Sequence, residues 1–218
     1  MFLTCSPLAV IFDMDGLLCD TETVYRDAMF AAAEALGYVF DFNLMTSLIG
    51  LPSASADALV QAHFGAEFPF ADFDGRVSAS VAAACDFGIA LKPGVPELLD
   101  RLDALGLPRA IATSSSPRSV EAHLGKSGIL PRFDAVVARG DYARGKPYPD
   151  PFLKAGERLG VAPKDCLALE DSHNGVRAAS AAGMMTIMVP DLLDATEEMV
   201  ALCLHIAVDL NEVRDMLL

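Results

Sequence analysis

The stretch Leu8-Ala9-Val10-Ile11-Phe12-Asp13-Met14-Asp15-Gly16 decides the fold. Five apolar residues run straight into two carboxylates and a glycine. An unbroken apolar run this short reads as a strand buried on both faces, which is how strands of a parallel sheet look. Outward from it the same unit recurs. Pro108 to Ala112 leads to Thr113, and Phe133 to Val137 forms a third run. Cys166 to Leu169 ends at Glu170-Asp171, Met184 to Val189 is a fifth run and Leu204 to Val208 a sixth. Helix-length segments separate most of them: Val95 to Leu105 is apolar at helical spacing and stops at Gly106, and Phe152 to Leu159 and Val176 to Ala182 also read as helices. This alternation predicts an α/β fold, a parallel sheet with helices on both faces.

One interval breaks the rhythm. Between Leu17 and Leu91 no buried strand run occurs, and helical patterns cover Glu22 to Leu36, Ser53 to Phe64 and about Phe73 to Phe87. That is too long for a loop between strand and helix. It predicts an inserted helical domain, with hinges near Cys19-Asp20 and Leu91-Lys92-Pro93-Gly94.

The 218 residues fit one large domain or a core with a smaller insert. With 53% hydrophobic and 21% charged residues the chain can fill a sizeable core. A net charge of −14 argues against nucleic acid and against an anionic membrane surface, because both need a basic face. A small phosphorylated metabolite is compatible with it, since a few local cations hold one phosphate. The five cysteines include no CxxC pair, so a reducing cytoplasm is expected rather than a disulfide framework. No signal peptide and no apolar run of roughly 20 residues stands out. A monomer or weak dimer is expected.

The chemistry-bearing residues fall where apolar runs end. In open α/β sheets the ligand crevice lies beyond the carboxyl ends of the strands. Asp13 and Asp15 would repel if buried together, and a divalent cation relieves that. Asp13 then serves as nucleophile and Asp15 as proton donor and acceptor; capping of the next helix is the competing use of the pair. Thr113-Ser114-Ser115-Ser116-Pro117 offers hydroxyls and amides as a phosphate seat, or an ordinary N-cap with Pro117 in the first turn. Lys146 sits in Gly145-Lys146-Pro147-Tyr148-Pro149-Asp150, where rigid neighbours aim one cation, or as a solvated loop lysine. Glu170 and Asp171 are costly at the end of a buried run unless a cation pairs them.

Taken in order, these segments resemble the haloacid dehalogenase superfamily, in the branch that contains β-phosphoglucomutase and small sugar-phosphate phosphatases. Asp13-Met14-Asp15-Gly16 matches the first motif, Thr113 the second, Lys146 the third and Glu170-Asp171-Ser172 the fourth. The resemblance implies a Rossmann-like catalytic core over 1–16 and 92–218 with a helical cap over 17–91. It implies a magnesium ion held by Asp13, Asp15 (through its carbonyl) and Asp171, with Glu170 supporting. It places Met14, Thr113, Ser114 and Lys146 at the substrate, with Asp13 the nucleophile and Asp15 the acid and base. The family's dehalogenases lack an acid at the position of Asp15, which points to phosphoryl chemistry.

Mutases of the family must grip a second phosphate, which calls for cap cations. The interval 17–90 offers Arg26, Arg76 and His63. The mutases resemble one another in a cap histidine twelve residues after the nucleophile, where this chain has Tyr25. They also carry an arginine after a cap Gly-x-Ser, where it has Gly50-Leu51-Pro52-Ser53-Ala54. A phosphatase is therefore the expected activity, ahead of a phosphomutase and of a non-catalytic phosphometabolite-binding protein. His123, His173 and His205 share no ligand spacing, and core or surface roles are expected for them.

Overall fold

The computed structural model describes residues 6–49, 51 and 53–217. Cys5, Gly50 and Pro52 lie outside the described residues, so the comparison drawn above for the stretch 50–54 has no structural counterpart here. In chain order the elements are β1 (Ala9–Phe12), α1 (Thr21–Ala35), α2 (Phe42–Leu48), α3 (Ser53–Phe64) and α4 (Phe70–Phe87). There follow α5 (Val95–Leu105), β2 (Arg109–Ala112), α6 (Pro117–Leu124), β3 (Ala135–Val137) and α7 (Asp150–Leu159). The chain closes with β4 (Cys166–Glu170), α8 (His173–Ala181), β5 (Met185–Met188), α9 (Glu197–Leu202), β6 (His205–Ile206) and α10 (Leu210–Met216).

The six strands form one sheet in the order β3-β2-β1-β4-β5-β6, with every pair parallel. This is the Rossmann-like order, and the strand sequence reverses direction between β1 and β4. Side chains alternate across β1. Val10 and Phe12 face a layer that includes Leu98, Leu99 and Leu102 of α5 and Val213 of α10. Ala9 and Ile11 face Phe152 and Ala155 of α7 and Ala178 and Ala179 of α8. All four β1 residues are inaccessible, which is why the run carries no polar alternation. Each large side chain buried this way contributes about 1.5–3 kcal/mol. β4 runs one residue further than the apolar run indicates and takes in Glu170.

The interval after β1 is helical, as its patterning predicts, and it has its own apolar centre. Phe40 stacks on Phe73 at 5.9 Å and Phe64 on Phe68 at 4.5 Å, with Ala28, Ala32, Met45, Val60 and Val77 around them. The two chain crossings lie side by side: the amide of Asp20 donates to Ala90 at 2.9 Å, and that of Lys92 to Leu18 at 3.1 Å. Among the described residues Cys19, Cys85, Cys166 and Cys203 are free thiols. No helix among the described residues is long and apolar enough to cross a membrane.

Candidate active site

Asp13 directly follows β1, and its amide still donates to Leu169 of β4 at 2.9 Å. The ladder thus fixes the nucleophile candidate at the gap where the strand order reverses. Asp171, one residue beyond β4, lies beside it. Carboxylate oxygens of Asp13, Glu170 and Asp171 fall within 4.8 Å of one another, and all three residues are buried. Lys146 bridges two of them, donating to Asp13 Oδ1 and to Glu170 Oε1. Its ammonium also sits 5.1 Å from the centre of the Phe152 ring.

Glu170 is fully buried and its other oxygen is saturated. Oε2 accepts from the amides of Asp171 and Ser172 at 3.1 Å and from the Ser172 hydroxyl at 3.0 Å. Ser172 in turn caps α8 by accepting from the Gly175 amide at 3.1 Å. Two glycines make room for the acids. A Cβ on Gly175 would lie 1.8 Å from Glu170 Oε1, and one on Gly16, whose φ is +83°, would lie 2.4 Å from Asp171 Oδ2.

The electrostatics show a deficit of positive charge. Burial pushes Asp13 up to about 8 against the pull of Lys146, and Glu170 and Asp15 push the same way. Burial, with Glu170 and Asp13 beside it, also raises Asp171 well above the usual carboxylate range. Desolvation works against the charged form of Lys146, yet Asp13 and Glu170 raise it. Three buried carboxylates around one ammonium are a hard-oxygen donor set that a divalent cation fits.

Asp15 stands apart from that trio. Its Oδ2 accepts from the Ser115 hydroxyl at 2.7 Å, and its Oδ1 is 2.8 Å from His123 Nδ1. Burial raises Asp15, but the contacts to His123 and Ser115 outweigh it and hold the carboxyl below its usual range. Thr113 is buried after β2; its hydroxyl oxygen accepts from the Ser115 amide at 3.0 Å, which leaves its proton to give. Ser114 is exposed at the mouth, and its carbonyl accepts from Arg139 Nε at 3.0 Å. Asp13, Asp15, Thr113, Ser114, Lys146 and Asp171 line one cleft of about 230 Å³.

The Met14 side chain is fully inaccessible and belongs to the hydrophobic core, so the contact to substrate expected of residue 14 falls to its backbone. In extended chain residues 13 and 15 share a side and residue 14 takes the other.

Asp20 and Glu22, just past the first motif, read from the sequence as facing substrate or capping a helix, and Glu22 lines the cleft together with Tyr25 of α1. Glu22 is pushed up to about 7 by burial and by Asp15 and Asp191. Asp20 occupies the N-cap position of α1 without a side-chain cap bond and lies 3.6 Å from Lys92. Arg139 and His123 line the cleft from the sheet side. Their signal lies in space rather than in spacing, since His123 meets an acid 108 residues away.

The model of haloacid dehalogenase-like hydrolases matches residues 7–183. The protein CbbY (plasmid) of Cupriavidus necator is 35% identical over 208 residues, covering 87% of this chain and 80% of that protein. Fructose-1-phosphate phosphatase YqaB of Escherichia coli is 33% identical over 192 residues, covering 83% of this chain and 95% of that one. The crystal structure of an Asp-to-Asn variant of CbbY from Rhodobacter sphaeroides, in complex with xylulose-(1,5)bisphosphate, superposes with a TM-score of 0.77. It is 30% identical and covers 94% of this chain and 96% of that one.

Proposed function

The chain belongs to the haloacid dehalogenase-like hydrolase family, and from that premise we propose that it is a magnesium-dependent phosphatase of a small sugar phosphate, working through an aspartyl phosphate on Asp13. It is a phosphoric monoester hydrolase. The observation that carries the mechanism is the division of labour among acids: one trio clustered around Lys146, and Asp15 held separately by Ser115 and His123.

Asp13, the Asp15 carbonyl and Asp171, supported by Glu170, would hold the magnesium ion. When bound it supplies positive charge to those carboxylates and to the phosphoryl oxygens. The Thr113 hydroxyl, the Ser114 amide and the Lys146 ammonium seat the phosphoryl group. An Asp13 carboxylate oxygen attacks phosphorus, and the bond to the ester oxygen breaks. Asp15 gives that oxygen its proton, so a neutral alcohol leaves. Asp15 then takes a proton from water as the water oxygen attacks the same phosphorus. The bond to Asp13 breaks, its electron pair returns to the carboxylate, and inorganic phosphate departs. Residues 17–91 form the cap over a core of 1–16 and 92–218, and its closure excludes bulk water.

A sugar phosphate suits the names of relatives such as the fructose-1-phosphate phosphatase. Hydrolysis is favoured over phosphomutation by the cap's contribution to the cleft. Among the described residues it offers Thr21, Glu22, Tyr25, Ile49 and Leu51, and no cation to grip a second phosphate. The test is release of inorganic phosphate from a panel of phosphorylated metabolites in magnesium. Conversion of glucose 1-phosphate to glucose 6-phosphate without free phosphate would replace the phosphatase by the mutase.

A further inference from the structure

His123 is a buried histidine that holds Asp15 but takes no part in the bond changes described above. It lies in the last turn of α6, on the same face as Val120 and Leu124, where an apolar residue would pack. Its Nδ1 instead points at Asp15 Oδ1, 2.8 Å away, while Ser115 holds the opposite carboxyl oxygen at 2.7 Å. Ser116 caps α6 by accepting from the Ser119 amide, so the helix that carries His123 starts from the loop that carries Ser115. Both contacts therefore come from one rigid unit at the end of β2. On its outer side His123 meets Tyr25 of α1 edge-on, with ring centres 6.4 Å apart. Beyond that pair lies a second compartment of about 690 Å³, lined by His123, Tyr25, Met29 and Val81 among others. His123 thus lines both the cleft that holds Asp13, Asp15 and Asp171 and this second compartment, which is large enough for a leaving group.

We propose that His123 is the positioning residue of the acid–base step: with Ser115 it clamps both oxygens of Asp15, so that the remaining lone pair carries its proton toward the departing ester oxygen. The inference rests on the phosphatase reading and deepens it. Each carboxyl oxygen has two acceptor sites, so a hydrogen bond from His123 leaves room for that proton. The clamp is part of the core rather than of the helical interval, and so holds Asp15 however that interval moves. The chemical balance is unchanged: the proton goes from Asp15 to the alkoxide oxygen as the phosphorus bond to Asp13 forms.

Leaving-group sensitivity tests this. The p-nitrophenolate of p-nitrophenyl phosphate departs with little protonation, whereas the alcohol of glycerol 2-phosphate needs the acid. Values of kcat/KM report the steps up to departure of the alcohol and are independent of later loss of phosphate from Asp13. For His123→Ala, kcat/KM with glycerol 2-phosphate is expected to fall about tenfold or more beyond its fall with p-nitrophenyl phosphate, within the range a general acid contributes. His123→Asn, whose amide can donate near the Nδ1 position, is expected to restore most of the lost ratio. The ratio of two esters on one preparation does not depend on the folded fraction, so a less stable variant still answers. Equal losses on both esters, or no loss on either, would overturn the positioning role; so would a His123→Asn ratio as poor as that of His123→Ala. A wild-type chain that releases phosphate from neither these esters nor the metabolite panel would instead overturn the phosphatase reading, and the inference with it.

Discussion

Gly175→Ala probes the most crowded point of the site. Gly175 is in the first turn of α8, and an added Cβ would lie 1.8 Å from Glu170 Oε1, 1.9 Å from Cδ and 2.1 Å from Oε2. Ordinary contacts begin near roughly 3.5 Å, so something must move by about 1.5 Å. The α8 backbone is pinned by the Ser172 cap, so the carboxylate has to yield. It then loses its bonds from the Asp171 and Ser172 amides and the Ser172 hydroxyl, and its alignment with Lys146. Overpacking costs about 1–3 kcal/mol, and hydrogen bonds to a buried charge are worth about 1.5–3 kcal/mol. Alanine is better than glycine inside a helix by about 0.5–1 kcal/mol, which is too little to compensate. A net loss of about 2–5 kcal/mol is expected, read as a lower urea midpoint at unchanged m value. Turnover should fall about a hundredfold, because displacement of Lys146 misplaces the phosphoryl seat. A variant with the wild-type midpoint and wild-type turnover would refute the close approach of Glu170 to α8 and the reasoning built on it.

The other expectations are brief. Gly75→Ala, in the middle of α4 with open space around the new methyl, should stabilise by about 0.5–1 kcal/mol in the same titration; destabilisation would mean the surroundings of α4 are tighter than described. Asp13→Asn should lose about a thousandfold or more in phosphate release with an unchanged circular dichroism spectrum, and substantial residual turnover in a clean preparation would remove Asp13 as nucleophile. Magnesium at a hundred times its Kd should raise the unfolding free energy by about 2.7 kcal/mol. Asp171→Asn should abolish most of that rise, and an equal rise in both proteins would place the ion elsewhere.

Much of the sheet was legible because parallel strands buried on both faces leave uninterrupted apolar runs, and Ala9–Phe12 and the last three residues of Arg109–Ala112 are such runs. Helix α5 was legible to the residue, since Val95, Leu98, Leu99 and Leu102 repeat at helical spacing over eleven residues. Short helices were not. Phe42–Leu48 spans seven residues, too few for a period to show, and its clearest signal is Asp41, whose carboxylate caps the Leu44 amide. The same holds for Glu197–Leu202 and Leu210–Met216. In the site, the residues at strand ends were legible because topology sends strand ends to one crevice. His123 was not, because a histidine on an apolar helix face looks like packing until its partner just beyond β1 is seen. The direction of the Met14 side chain follows from its place between two cleft acids, since neighbours in extended chain face opposite ways.

The paired crossings at Asp20–Ala90 and Leu18–Lys92 have a consequence for engineering. The chain leaves the sheet after β1 and returns before α5 at nearly the same place, so the long excursion spans almost no distance. A tight turn joining the two crossings would leave the strand order and every residue at the strand ends where it is. Helical segments from other proteins could be grafted onto the same two-stranded stalk, and the cluster of residues at the strand ends would be inherited unaltered.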